Sequence, residues 1–177
     1  MESLTLSLSN GRFAIPLCRI DELLPMMTIR HIPDIPGFIY GGINLRGRLL
    51  PVIDLVTRLG AQWQSPPPPM NESEANQTHF TTRSRLIIVS QVQHRFAVII
   101  DGVDRIEEFS AADTHNNVTV DGVHPDYLQG MVLENEEIIQ LVLIDQLLTM
   151  QELSLLSTCD VLNKDATPDH DSENIQV

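Results

Sequence analysis

Arg46 is the residue best equipped for chemistry. It stands in GGINLRGRLLPVIDLVTRL, Gly41 to Leu59, with apolar runs on both sides and Arg48 two residues on. A guanidinium carries five donors in a rigid fork suited to carboxylates, phosphates and carbonyls. That leaves four uses: a substrate clamp, a nucleic-acid contact, a turn residue with at most a weak surface ion pair, or a handle for another protein. Asp54 and Asp145 each follow an apolar run ending in isoleucine and invite comparison with a catalytic carboxylate pair. Helix capping explains both at once, Asp54 for a helix through Leu55, Val56 and Leu59, and Asp145 for one through Leu147 and Leu148. Cys18 has no histidine beside it in sequence and reads as a small buried hydrophobe. Asp113, His115 and His124 read as solvated loop residues in preference to metal ligands. There is no P-loop, glycine-rich dinucleotide turn, HExxH or CxxC. No catalytic, cofactor-binding or metal-binding residue is predicted, and the chain reads as a non-enzyme.

The totals narrow the four uses of Arg46. A net charge of −13 argues against nucleic acid, because neutralising phosphates needs a basic surface. The charge is uneven: residues 1–64 hold six arginines and five acids, residues 80–150 four arginines and eleven acids. Such asymmetry predicts two faces of different character. With 177 residues and 42% hydrophobic content the chain can build a real core. No apolar run approaches the length of a membrane span, so no direct membrane insertion is predicted. The start, MESLTLSLSN, lacks a basic region and does not read as a secretory signal. Cys18 and Cys159 fit no disulfide or metal spacing, and a reducing, cytoplasmic setting is the expectation.

The elements that must position Arg46 come twice. Arg12-Phe13-Ala14-Ile15, with Ile20-Asp21 and Leu23 after it, returns at an offset of 83 as Arg95-Phe96-Ala97-Val98, Val103-Asp104 and Ile106. Pro36, Phe38-Ile39 and Gly41 return at an offset of 89 as Pro125, Tyr127-Leu128 and Gly130. With the apolar runs that then end in Ile53-Asp54 and Ile144-Asp145, three landmarks in one order predict two versions of one module. Short runs such as FAIPL, LLPVI, RLIIVS and RFAVII, rich in Ile and Val, predict strands. Asn10-Gly11, Asp101-Gly102 and Asp121-Gly122 read as hairpin turns, and Gly47 as the positive-φ residue of another. The economical architecture is all-β with a few short helices: two five-stranded barrels around a shared core. The first module is expected mainly over 10–60 and the second mainly over 80–150. A Pro-rich loop over 65–79 separates them, and 151–177 reads as a short helical extension leading into a disordered acidic tail. The acidic string Glu134, Asn135, Glu136, Glu137 reads as a solvated turn. It occupies the place of the Arg46 turn in the second module, so the turn itself does not demand arginine, which favours a binding role for Arg46.

Asn44-Leu45-Arg46-Gly47 followed by Pro51-Val52-Ile53-Asp54-Leu55 strongly resembles the signature of the CheW-like domain, the coupling module of bacterial chemotaxis. Supporting matches lie in FAIPLCRIDELLP, RHIPDIPGFIYGGI, FAVIIDGVDRI and PDYLQGMVLENEEIIQLVLIDQLL, so the resemblance covers about residues 4–150. It implies two SH3-like barrels and no catalysis. It also implies two partners: the regulatory domain of a CheA-type histidine kinase, and the cytoplasmic tip of a chemoreceptor, a helical hairpin held in a groove. On that resemblance the receptor side falls on Ile43, Leu45, Arg46 and Gly47, with Ile20, Glu22 and Leu23, although plain barrel core is an equal reading for the four aliphatic residues. The expected function is a non-enzymatic adaptor in chemotaxis, or in a chemotaxis-like system such as pilus twitching. Alternatives are a regulator that binds the kinase without a receptor and, further off, a phosphatase on the same fold. The tetraproline run Pro66–Pro69 and the acidic tail depart from the family pattern.

Overall fold

In the computed structural model, which describes residues 1–8, 11–33, 35–60, 80–92, 94–110, 114–115 and 125–154, the repeat becomes a strand plan. The first half supplies β1 (Glu2–Leu8), β2 (Gly11–Pro16), β3 (Ile20–Pro25), β4 (Ile39–Leu45) and β5 (Arg48–Ile53). The second supplies β6 (Arg85–Gln91), β7 (His94–Ile100), β8 (Gly102–Glu108), β9 (Leu128–Glu134) and β10 (Glu137–Val142). One five-stranded sheet, barrel 1, runs β8-β1-β2-β10-β9; the other, barrel 2, runs β3-β6-β7-β5-β4. Replacing each strand by its repeat equivalent turns one order into the other.

The registers repeat as well. Leu141 lies opposite Ala14 in the parallel β10–β2 pair, and Val52 opposite Ala97 in the parallel β5–β7 pair. These positions correspond through the same offsets of 89 and 83. Each sheet also breaks register at the equivalent place, between Leu4 and Leu6 against β8 and between Ile20 and Glu22 against β6.

The expected all-β class with two SH3-like barrels therefore holds, but the expected division into 10–60 and 80–150 does not describe the barrels. Each barrel takes the N-terminal hairpin of one half and the three C-terminal strands of the other. The crossings are short. A 3-10 turn, Leu17–Arg19, carries the chain from barrel 1 to barrel 2, and Asp101 carries it back. Asp101-Gly102 is thus no hairpin: β8 pairs with β1, and the Asp101 N–H donates to the Ser7 carbonyl at 3.1 Å. Asp121-Gly122 lies outside the described residues, as do Asp113, His124 and the stretches 61–79 and 155–177.

Exchange explains the composition of the strands. β6 and β7 read as continuous apolar runs because both faces are covered. Ile87, Val89, Phe96, Val98 and Ile100 face a core shared with Leu4, Leu6, Phe13 and Ile15. Their alternates Leu86, Ile88, Ala97 and Ile99 fill the interior of barrel 2 with Ile43, Leu45 and Val52. Barrel 1 has a smaller interior, centred on Ala14, Val132, Ile139 and Leu141. There the fully buried Thr5 uses its hydroxyl to donate to the Arg105 carbonyl at 2.9 Å.

Helix α1 (Leu55–Leu59) caps the shared core with Leu55, Val56 and Leu59. Asp54 is its N-cap, as expected: its side chain accepts from the Thr57 N–H at 3.1 Å, and Gly60 at φ 80° ends it. Asp145 is not a cap. It lies inside a 3-10 turn, Ile144–Gln146, and its carboxylate pairs with Arg19. The helical turn at 150–154 starts instead from Thr149. There the Glu152 N–H donates to Thr149 Oγ1 at 3.2 Å and the Thr149 N–H to Glu152 Oε2 at 2.7 Å. Cys18 is exposed, not buried, because the Leu17–Arg19 crossing turns over the surface.

Candidate functional site

The turn between β4 and β5 presents Arg46. Its two central residues, Arg46 and Gly47, have φ 54° and 81°, the two consecutive positive angles of a type I′ hairpin turn. Asn44 braces it, its Oδ1 accepting the Gly47 N–H at 2.9 Å. Arg46 is 73% exposed, and its Nη2 donates to Glu22 Oε1 at 2.8 Å. Glu22 sits on β3, at the opposite edge of the same sheet from β4. The pair therefore clasps the two edge strands of barrel 2 and holds the guanidinium at the rim.

The seven predicted residues part company at this point. Arg46, Gly47 and Glu22 form the clasp. Ile43 and Leu45, pointing inward from β4, are buried in barrel 2. Ile20 is half-buried against the shared core. Leu23 is 44% exposed, on the face of β3 away from Glu22, as the strand's alternation of half-buried and exposed residues dictates. Sequence reasoning missed Arg48, which stands exposed across the turn and has no ion-pair partner among the described residues. The spacing Arg-Gly-Arg was the available signal.

Barrel 1 repeats the clasp with its charges inverted. The place of Glu22 on β8 is taken by Arg105, and the place of Leu45 at the end of β9 by Glu134; Arg105 Nη2 reaches Glu134 Oε2 at 2.6 Å. The turn beyond, Asn135 and Glu136, again has two positive φ values, 48° and 68°. The acidic string is therefore more than a solvated turn. Arg12 lies beside Asp104, Glu107, Glu134 and Glu137, at 2.8 Å from Glu137, and Arg105 also pairs with Glu107. The hydrogen bond that Arg12 donates to Glu137 raises the Arg12 pKa, against some burial and with the help of the charges on Asp104, Glu137 and Glu107. Repeat landmarks also meet across the halves: Arg12 with Asp104, and Arg95 with Asp21 at 2.6 Å.

Among the described residues, no three His, Cys, Asp or Glu side chains gather to hold a metal ion. His115 bridges to Met131 of β9 through the backbone. No helix among these residues is long and apolar enough to cross a membrane.

Twin barrels with exposed, clasped rims define a class of all-β module that offers surface side chains for contact. The chain matches the model of the CheW-like domain over residues 2–152, and it belongs to that family. It is 25% identical to the chemotaxis protein CheW of Klebsiella aerogenes over 159 residues, covering 88% of this chain and 86% of that protein. It is 22% identical to the chemotaxis protein CheW of Treponema pallidum, covering 86% and 85%. In fold it is similar to the crystal structure of the scaffolding protein TtCheW from Thermoanaerobacter tengcongensis. That likeness has a TM-score of 0.68 at 22% identity and covers 85% of this chain and 89% of that one.

Proposed function

We propose that this chain is a non-enzymatic cytoplasmic adaptor that couples chemoreceptors to a CheA-type histidine kinase. The observation that carries the proposal is the Glu22–Arg46 clasp, which leaves a guanidinium exposed at a barrel rim in a member of the CheW-like family. Names of its relatives, chemotaxis protein and scaffolding protein, support the role. Arg46, Gly47 and Glu22 form the receptor side, where an arginine at a groove edge meets helix carboxylates or carbonyls, and the exposed Leu23 stands apart from it on the other face of β3. Ile43, Leu45 and Ile20 serve that side from beneath, by fixing the strands. The mechanism is geometric: holding both partners in one orientation raises their effective concentration and couples receptor rearrangement to kinase output.

The test is co-sedimentation with receptor-bearing membranes and kinase. Arg46→Glu is expected to abolish receptor binding while leaving the β spectrum and kinase binding intact. Unchanged binding to both partners would remove the assignment.

A further inference from the structure

Each barrel carries one hairpin that ends in a charged tip, β4–β5 in barrel 2 and β9–β10 in barrel 1. Inward residues, Ile43, Leu45 and Leu50 in one and Val132, Ile139 and Leu141 in the other, pack each hairpin into its own barrel. What relates one hairpin to the other lies at their bases. Among the described residues, the first hairpin meets the core shared by the barrels only through Ile39 and Ile53, and the second only through Leu128 and Val142. Each pair faces across the base of its hairpin, and the two pairs are repeat equivalents. The parallel ladders that tie the hairpins into their sheets are short as well, two residue pairs between β5 and β7 and three between β10 and β2.

One side chain stands among the four segments that enter and leave these hairpins. Phe38 precedes β4 and α1 follows β5; Tyr127 precedes β9, and Leu147 and Glu152 follow β10. Arg58 of α1 touches all of them. Its guanidinium lies 4.4 Å from the Phe38 ring centroid and 5.1 Å from that of Tyr127. Its Nε donates to the Leu147 carbonyl, and its two Nη atoms donate in a fork to the Glu152 carboxylate. Only 11% of the side chain is exposed. A buried ion pair can often be replaced by apolar side chains of similar volume without loss of stability, so the pair is poorly explained as a source of stability alone. What a guanidinium adds over an apolar side chain is direction, because the fork and the ring faces each accept it in one orientation.

We propose that Arg58 is a positioning residue: it fixes the β4–β5 and β9–β10 hairpins relative to each other, and so sets the angle at which the molecule presents its two charged tips. The tips stand at the far ends of both hairpins from Arg58, so a small rotation at the bases becomes a large displacement at the rims. The proposal concerns the free chain and is independent of the receptor and kinase reading.

Pulsed dipolar spectroscopy on the full chain, diluted with unlabelled chain, tests it. In a Cys18→Ser, Cys159→Ser background, nitroxides at Arg48→Cys and Leu133→Cys report the distance between the tips from two exposed positions. A single narrow peak is expected for this labelled parent. Arg58→Met keeps an apolar side chain in place and should lose that peak to a broad distribution. Glu152→Gln removes the charge from the fork but leaves the rings, and should widen the peak less. Val56→Ala controls for stability: it opens a cavity under α1 and lowers the denaturation midpoint with Arg58 and Glu152 intact, and it should keep the narrow peak. Far-UV circular dichroism checks folding, and if Arg58→Met fails to fold, Glu152→Gln decides. An unchanged narrow peak in a folded Arg58→Met or in Glu152→Gln, a broad distribution in the parent, or a Val56→Ala distribution as broad as that of the Arg58 variant overturns the proposal.

Discussion

Arg46 owes its position to three local facts: a turn that takes two positive φ angles, an Asn44 side chain that braces the turn, and a carboxylate within reach at the far edge of the sheet. The turn was legible from Arg-Gly alone. The clasp was not, because Glu22 is 24 residues away and meets Arg46 only when the sheet curls to bring its edges together. The same limit governs Ile43 and Leu45: a motif match marks a whole strand, whereas alternation sends those two side chains inward. As an exposed pair the clasp contributes only about 0–1 kcal/mol, so Arg46 can be changed without threatening the fold. Gly47 isolates the backbone term. A Cβ there meets nothing within 4 Å, so Gly47→Ala costs only the left-handed conformation at φ 81°, about 1–2 kcal/mol. The expected outcome is a lowered Tm with an unchanged β spectrum; an unchanged Tm would mean the turn relaxes to another type.

At the scale of elements, the least anticipated assembly gathers around Arg58 of α1. Its guanidinium lies 4.4 Å from the ring centroid of Phe38 and 5.1 Å from that of Tyr127, two residues that occupy the same place in the two repeats. It donates to the Leu147 carbonyl and, in a fork, to Glu152 at 3.0 and 2.8 Å. One arginine thus ties α1 to both halves and to the terminal helical turn. Thr149-Met150-Gln151-Glu152 carries the spacing of a capping box, so this helix start was readable. Asp145 drew the assignment because it follows an apolar run as Asp54 does. Burial works to raise the Glu152 carboxyl, but the N–H and hydroxyl of Thr149 and the guanidinium of Arg58 outweigh it, holding the group below the usual carboxylate range. A carboxyl lowered on folding stabilises the protein fully above its unfolded value of about 4.3, and that contribution is lost as pH falls through the folded value. Glu152→Gln should therefore lower stability at neutral pH by about 1–2 kcal/mol and flatten the acid side of the curve, measured by denaturant unfolding from pH 7 to pH 3. A difference from the parent chain that stays constant down to pH 3 would show that Glu152 acts through shape alone.

For the molecule as a whole, the doubling was legible because residues such as Arg12, Phe13, Asp21 and Leu23 return with their types and spacing kept. The exchange was not, since a repeat gives the order of strands along the chain and is silent on which copy each one pairs with. The crossings that make the exchange are short, Leu17–Arg19 before β3 and Asp101 before β8, and each delivers its strand to the other barrel. The consequence can be tested by cutting the chain. A fragment of residues 1–64 keeps β3, β4 and β5 but loses β6 and β7, which lie between β3 and β5 in barrel 2; it also keeps β1 and β2 without their neighbours β8 and β10. The complementary fragment, 80–177, is deficient in the mirror sense. Each fragment alone leaves central strands with bare apolar faces and unpaired backbone groups, at a cost no small domain can offset. Neither should show cooperative unfolding alone, whereas an equimolar mixture should recover the β spectrum and a sharp transition whose midpoint rises with concentration. Two contiguous barrels would behave in the opposite way, each fragment melting cooperatively on its own at a midpoint independent of the other, and that outcome would refute the exchanged pairing of β2 with β10 and of β7 with β5.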